Sequence, residues 1–172
     1  MKDRRGFTLI ELMIALAIVA IGLVIAISNL QLWIHQTNAS GFKREVFTKI
    51  QEARSRAFSA GARHRVVIDL ANETTLLQTN PGSGWSATGI QGSTPTGSRI
   101  ASVLPTPDGS AVTTGTYALV FHPSGEVYGQ TNIANDNTIA PLDNAVIRLT
   151  GVNPQDNASI TVFGWTGKAR LN

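Results

Sequence analysis

Residues 7–34 read FTLIELMIALAIVAIGLVIAISNLQLWI, and within them residues 12–27 carry only apolar side chains and a single glycine, Gly22. With Phe7, Leu9 and Ile10 on one side and Leu30, Leu32, Trp33 and Ile34 on the other, the segment exceeds the roughly 20 residues that a helix needs to cross about 30 Å of hydrocarbon. A chain of 172 residues that gives this much to a membrane has room for one further domain of about 110 residues. Lys2, Arg4 and Arg5 precede the apolar run and favour a cytoplasmic N-terminus, while Trp33 falls where indoles gather at the far interface. The expectation is a single-pass protein whose remaining mass is periplasmic or extracellular. An ordinary secretory signal ends its apolar core at small residues and is removed. Here the segment runs through Ser28 and Asn29 into further helix-compatible sequence, so the apolar core is expected to be retained.

Glu11 interrupts this picture. An ionisable side chain inside the bilayer costs at least about 2.5 kcal/mol, so it either reaches water at the cytoplasmic interface or meets a partner. The residues alone leave both readings open.

Beyond the span, Leu30, Ile34, Thr37, Phe42, Val46, Ile50, Ala53 and Ala57 recur three or four apart with charges between them, the pattern of an amphipathic helix. Residues 38–41, Asn-Ala-Ser-Gly, weaken it, because glycine costs a helix about 1 kcal/mol. Gly61 is placed to end it. A helix unbroken from Phe7 to about Ala60 would be roughly 80 Å long at 1.5 Å per residue. The cations Lys43, Arg44, Lys49, Arg54 and Arg56 along it are expected to form a solvated face rather than a site for lipid or nucleic acid.

After Gly61 the pattern shifts to short β-branched or alternating runs. Strands are expected over residues 65–70, 74–78, 100–104, 117–121, 145–149, 159–163 and 168–171, with turns at 71–73, 123–125 and 164–167. Residues 81–97 and 129–143 read as loops. Spacing of this kind without intervening helices predicts antiparallel sheets. The expected architecture is α+β, a long N-terminal helix packed on a C-terminal antiparallel sheet or sandwich. Its segments are 1–6, a leader; 7–34, the membrane helix; 35–61, the amphipathic stalk; and 62–172, the head.

The chain has no cysteine, which removes disulfides, thiolate metal sites and a cysteine nucleophile. Its three histidines, His35, His64 and His122, are dispersed, and no metalloprotease, nucleophile-elbow or phosphate-loop motif occurs. The expectation is therefore no enzyme, with no catalytic residue and no cofactor. From residue 61 onward six basic residues face seven acidic ones, so the head as a whole is not a polyanion-binding surface. Asp136, Asn137 and Asp143 offer oxygen ligands of the kind calcium takes, but without the spacing or closing glutamate of an EF-hand loop, and a plain polar surface loop is the preferred reading.

The string KDRRGFTLIELM resembles the class III leader of type IV pilins, type II secretion pseudopilins and competence pseudopilins. The resemblance implies cleavage between Gly6 and Phe7 by a prepilin peptidase and N-methylation of the new Phe7 amine. It also implies that Glu11 meets the N-terminal amine of a neighbouring subunit during assembly. The chain departs from many relatives in having no proline midway along the helix, where it reads Ile27, Ser28, Asn29. Three further segments, KIQEARSRAFSAGARHRVVID, LVFHPSGEV and the terminal ITVFGWTGKARL, resemble the GspH and FimT family of minor pilins and pseudopilins. Partners implied are sibling subunits, the peptidase, an inner-membrane platform protein and a cytoplasmic assembly ATPase.

Gly167, Lys168, Ala169 and Arg170 resemble the C-terminal element associated with DNA capture in FimT-like pilins, with Lys168 in place of its first arginine. Lys168 and Arg170 beside Trp165 would then pair with phosphates and stack on a base. The plainer reading is an edge strand guarded by cations against aggregation, and lysine lacks the bidentate fork of arginine. The readings thus carried forward are an assembly subunit, a DNA-binding tip pilin, and an unprocessed membrane-anchored β-domain.

Overall fold

The computed structural model describes residues 8–107 and 109–172. The chain divides into two compact units, Met1–His35 and Gln36–Asn172. A helix, α1, spans Leu9–Ala60. In the first unit its stretch Leu9–Ile27 is long and apolar enough to cross a membrane, and its large side chains lie exposed.

In the second unit α1 buries Ala39, Phe42, Val46, Ile50, Ala53 and Ala57, three or four apart and therefore on one stripe. Of the expected stripe, Thr37 is exposed and Ala39 takes its place, while Leu30 and Ile34, in the first unit, are exposed as well. Gly41 does not interrupt the helix. Burial of Ala39 and Phe42 on either side outweighs the glycine's cost, a large buried side chain contributing about 1.5–3 kcal/mol. Gly61 ends the helix in the left-handed region at φ 60°, a conformation that glycine adopts without steric penalty.

The strands that follow are β1 (Arg63–Asp69), β2 (Thr74–Asn80), β3 (Ser86–Ser93), β4 (Arg99–Thr106), β5 (Thr116–Phe121), β6 (Val127–Gln130), β7 (Ile139–Pro141), β8 (Asn144–Thr150), β9 (Ala158–Phe163) and β10 (Ala169–Leu171). They form two sheets, in the orders β3-β2-β1-β5-β6-β7 and β10-β9-β8-β4, with every recorded pairing antiparallel. One apolar cluster joins the α1 stripe to Val66, Ile68, Leu119 and Phe121 of the first sheet and to Ile147, Leu149, Ile160 and Val162 of the second.

Two strands, β3 and β7, lie where the sequence reads as loop, and β6 runs into the same expected loop from residues to which no element was assigned. β3, SATGIQGS, carries a single large apolar residue and two glycines; it is an edge strand, held on one side by β2. Its Gly92 permits a close approach, since a Cβ there would collide with the Glu45 carboxylate and the Lys49 ammonium. Those two groups pair at 2.8 Å, and the buried Lys49 also donates to Thr75 Oγ1 at 2.8 Å. β6 and β7 have four and three residues, too few to show a two-residue period.

Candidate functional site

The first unit begins with a polar arrangement set by four consecutive residues, Thr8-Leu9-Ile10-Glu11. Glu11 N donates to Thr8 Oγ1 at 3.3 Å, and Glu11 Oε2 accepts from Thr8 N at 3.3 Å and from Thr8 Oγ1 at 3.4 Å. This reciprocal pattern is a capping box. The first turn of a helix has amide donors without intrahelical acceptors, and a threonine at the cap with a glutamate three residues later satisfies two of them. The carboxylate also sits at the positive end of the helix macrodipole. Glu11 therefore has a local function within its own chain, and this signal was present in the spacing of Thr8 and Glu11. Gly6 and Phe7, the expected cleavage and methylation residues, lie outside the described residues.

In the head, Trp165 is 76 % exposed in the turn between β9 and β10. Lys168 and Arg170 are exposed at the edge of the second sheet. Phe163 N donates to Lys168 O at 2.9 Å, and Arg170 stands opposite Thr161. The turn is tied to the helix by Arg54 Nε, which donates to Thr166 O at 3.0 Å. Lys168 and Arg170 occupy an edge, the position in which charge discourages strand-to-strand aggregation.

Asp136 and Asp143 belong to different surroundings. Asp136 Oδ1 accepts from Trp85 Nε1 at 2.8 Å and from Gln130 Nε2 at 3.2 Å, so this oxygen serves a protein network. Among the described residues no group of three or more His, Asp or Glu side chains is placed to hold a metal ion.

That network centres on Arg65, a buried cation the sequence did not single out. Its Nε donates to Gln78 Oε1 at 2.7 Å, and Nη1 donates to Gln130 Oε1 at 2.8 Å and to Ile133 O at 3.0 Å. The guanidinium lies 4.1 Å from the centre of the Trp85 ring, within cation–π range. Burial pulls Arg65 below its ordinary value while nearby Asp136 pushes it back up; with five donors and largely satisfied geometry it remains a cation. Its effect is to pin Trp85 and the 131–138 segment over the first sheet.

The His122 and Tyr128 rings meet at a tilt of 45° with centroids 4.7 Å apart, and Tyr128 OH donates to Glu126 Oε2 at 3.0 Å. That bond favours the neutral phenol and raises Tyr128. Burial lowers His122 from 6.5, the Arg63 cation lowers it further, and Glu126 opposes them. The folded head therefore binds fewer protons at His122 than the unfolded chain does in the interval beneath pH 6.5, and stability falls as pH drops through it. Melting temperature should decline from pH 7 towards pH 5, and His122→Phe should flatten the part of that decline that begins near 6.5; an unchanged slope in the variant would remove His122 as its source.

Residues 1–27 match the family described as the prokaryotic N-terminal methylation motif. No curated protein matches the sequence significantly. Among solved structures, the chain is similar to the minor pseudopilin EpsH of the type 2 secretion system of Vibrio cholerae, with a TM-score of 0.55 and 15 % identity over 78 % of this chain and 96 % of that one. A further crystal structure of the same protein gives 0.56 and 14 % over 79 % and 94 %. The type IV minor pilin FimU of Pseudomonas aeruginosa, strain PAO1, gives 0.50 and 11 % over 83 % and 90 %. At these identities the likeness is one of fold. It is the pilin-like α+β fold, a long N-terminal apolar helix followed by an antiparallel β head.

Proposed function

We propose that this chain is a minor pilin or pseudopilin, a structural subunit of a type II secretion pseudopilus or a type IV pilus. The observation that carries the proposal is the coincidence of a prepilin methylation motif over residues 1–27 with a pilin-like head. Neither alone would suffice, since the motif is short and the fold by itself does not give a function.

On this reading the protein is inserted in the bacterial inner membrane with Lys2, Arg4 and Arg5 in the cytoplasm and the head in the periplasm. Prepilin peptidase cuts after Gly6, where the absence of a Cβ lets the backbone approach a protease cleft, and the Phe7 amine is methylated. The apolar helix then leaves lipid for the company of sibling helices. Extraction requires work from outside, supplied through a platform protein and a cytoplasmic ATPase. The chain's own contribution is shape, and no catalytic role is assigned to it.

Intact mass tests this directly. Purified from its native membrane, the protein should begin at Phe7 and carry one added methyl group, and Gly6→Val should remain at full length. A chain still beginning at Met1 in a host with active prepilin peptidase would overturn the reading and leave a membrane-anchored β-domain.

A further inference from the structure

The head separates its unpartnered charges. Of its cations, Arg63 and Arg65 lie against the ring of Trp85, and Arg99 is 3.9 Å from Glu73. The remaining three, Arg148, Lys168 and Arg170, make no side-chain hydrogen bond or ion pair among the described residues, and all three are exposed. Strand alternation places them together. Ile160 and Val162 of β9, and Ala145, Ile147 and Leu149 of β8, point into the core, so the residues between them face outward. Arg148 stands opposite Ser159, Arg170 opposite Thr161, and Lys168 beside Phe163. The strands of this sheet contain no aspartate or glutamate. The charged residues on its strands are therefore all cations.

Most carboxylates of the head are occupied. Asp69 accepts from the turn that follows it, Glu73 faces Arg99, Asp136 accepts from Trp85, and Asp156 accepts from Asn153. Glu126 accepts from Tyr128 OH but, like Asp143, has no cationic partner among the described residues, and both line one groove of about 210 Å³. Val127 and Leu142 form part of its apolar lining, and the exposed Trp165 forms another wall.

We propose that this groove receives a basic side chain from the cationic sheet face of a second copy of the chain, with Lys168 or Arg170 as the inserted residue. The aliphatic stem would lie on Val127, Leu142 and Trp165, and the charged end would stand between Glu126 and Asp143 with the indole face beside it. Each head thus presents both halves of a complementary pair, and the complementarity sets register between copies more than it sets raw affinity. The contact concerns the head alone and does not depend on leader processing.

A zero-length carbodiimide, which joins a lysine amine to a carboxylate, reads the contact in the full-length protein held in detergent. With equal amounts of isotope-labelled and unlabelled chain, a link between Lys168 of one copy and Asp143 or Glu126 of the other is expected. It should fall at least about tenfold in high salt. The double variant Lys168→Glu, Arg170→Glu should form no such link to itself, nor should Glu126→Lys, Asp143→Lys. Each variant alone lacks one half of the pair but their mixture restores it, so the mixed reversed pair is expected to recover both the copy-to-copy link and, by sedimentation, the dimer. Links confined within one copy, links only to a different protein, or salt-sensitive DNA binding through Lys168 and Arg170 without copy-to-copy association would each overturn the proposal. Intact mass on the same samples separates the two conclusions: a chain matured at Phe7 that does not dimerise overturns this contact alone.

Discussion

Gly164→Ala is expected to be the most damaging single-methyl addition in the head, costing about 4 kcal/mol or more. Gly164 joins the two sheets at the end of β9. Its N–H donates to Asp143 O at 2.8 Å, and its carbonyl accepts from Val127 N, at the start of β6, at 2.6 Å. A Cβ at this position would fall inside the van der Waals envelope of the Leu142 carbonyl. The obstacle is backbone, not a flexible side-chain end, so relief requires moving the strand end and stretching both hydrogen bonds. Losses of this size belong to steric strain combined with unsatisfied buried backbone groups. Gly41→Ala supplies the contrast. It lies inside α1 with nothing within 4 Å of its missing Cβ, and the same methyl should stabilise the protein by up to about 1 kcal/mol through helix propensity. Denaturant unfolding of the two variants reads both effects. Equal changes in midpoint would show that the junction at Gly164 yields without strain.

The contrast also marks where sequence is informative about this fold. The apolar run, the α1 stripe and the long strands β1, β5, β8 and β9 are visible because each is a local pattern with a fixed period, and the core they form rewards that period directly. Gly164 is visible only as a turn residue. Its close approach to Leu142, twenty-two positions away in the chain, is a property of the meeting of two sheets, and no local pattern records it. The same holds for β3, whose polar, glycine-containing sequence reads as loop but which completes an edge because β2 offers it an unpaired ladder and Gly92 clears Glu45 and Lys49.

The candidate sites divide in the same way. Thr8 and Glu11 form a local motif and could have been read as a capping box from their spacing. Arg65 could not, since its partners Gln78, Gln130, Ile133 and Trp85 come from separate segments. Asp136 read as one oxygen of a polar surface loop, and its use as an acceptor for Trp85 and Gln130 beside the buried guanidinium was not legible in that composition. The cations at Lys168 and Arg170 were evident in sequence. Their membership of an acid-free sheet face with Arg148 required the register of β8, β9 and β10.

The capping box makes a sharp experiment out of Glu11. In the single chain its carboxylate is engaged with Thr8 N and Oγ1, while the proposed assembly function asks the same carboxylate to neutralise an ammonium at Phe7 of a neighbour. Glutamine can close a capping box as glutamate does, but it cannot compensate a positive charge in a low dielectric. Glu11→Gln should therefore leave the helix start, cleavage after Gly6 and head stability unchanged, and reduce incorporation into filaments. Leaving one member of a buried ion pair uncompensated costs about 3–5 kcal/mol. If even the lower part of that penalty is expressed at assembly, incorporation should drop roughly 100-fold, since each 1.4 kcal/mol is a factor of ten. Glu11→Ala removes both functions and should in addition lose about 1 kcal/mol of helix N-terminal stability. Quantifying the mature variant in sheared filament fractions against the membrane pool decides the matter. Normal incorporation of Glu11→Gln together with a defect in Glu11→Ala would assign Glu11 to the helix cap alone and remove the intersubunit ion pair from the mechanism.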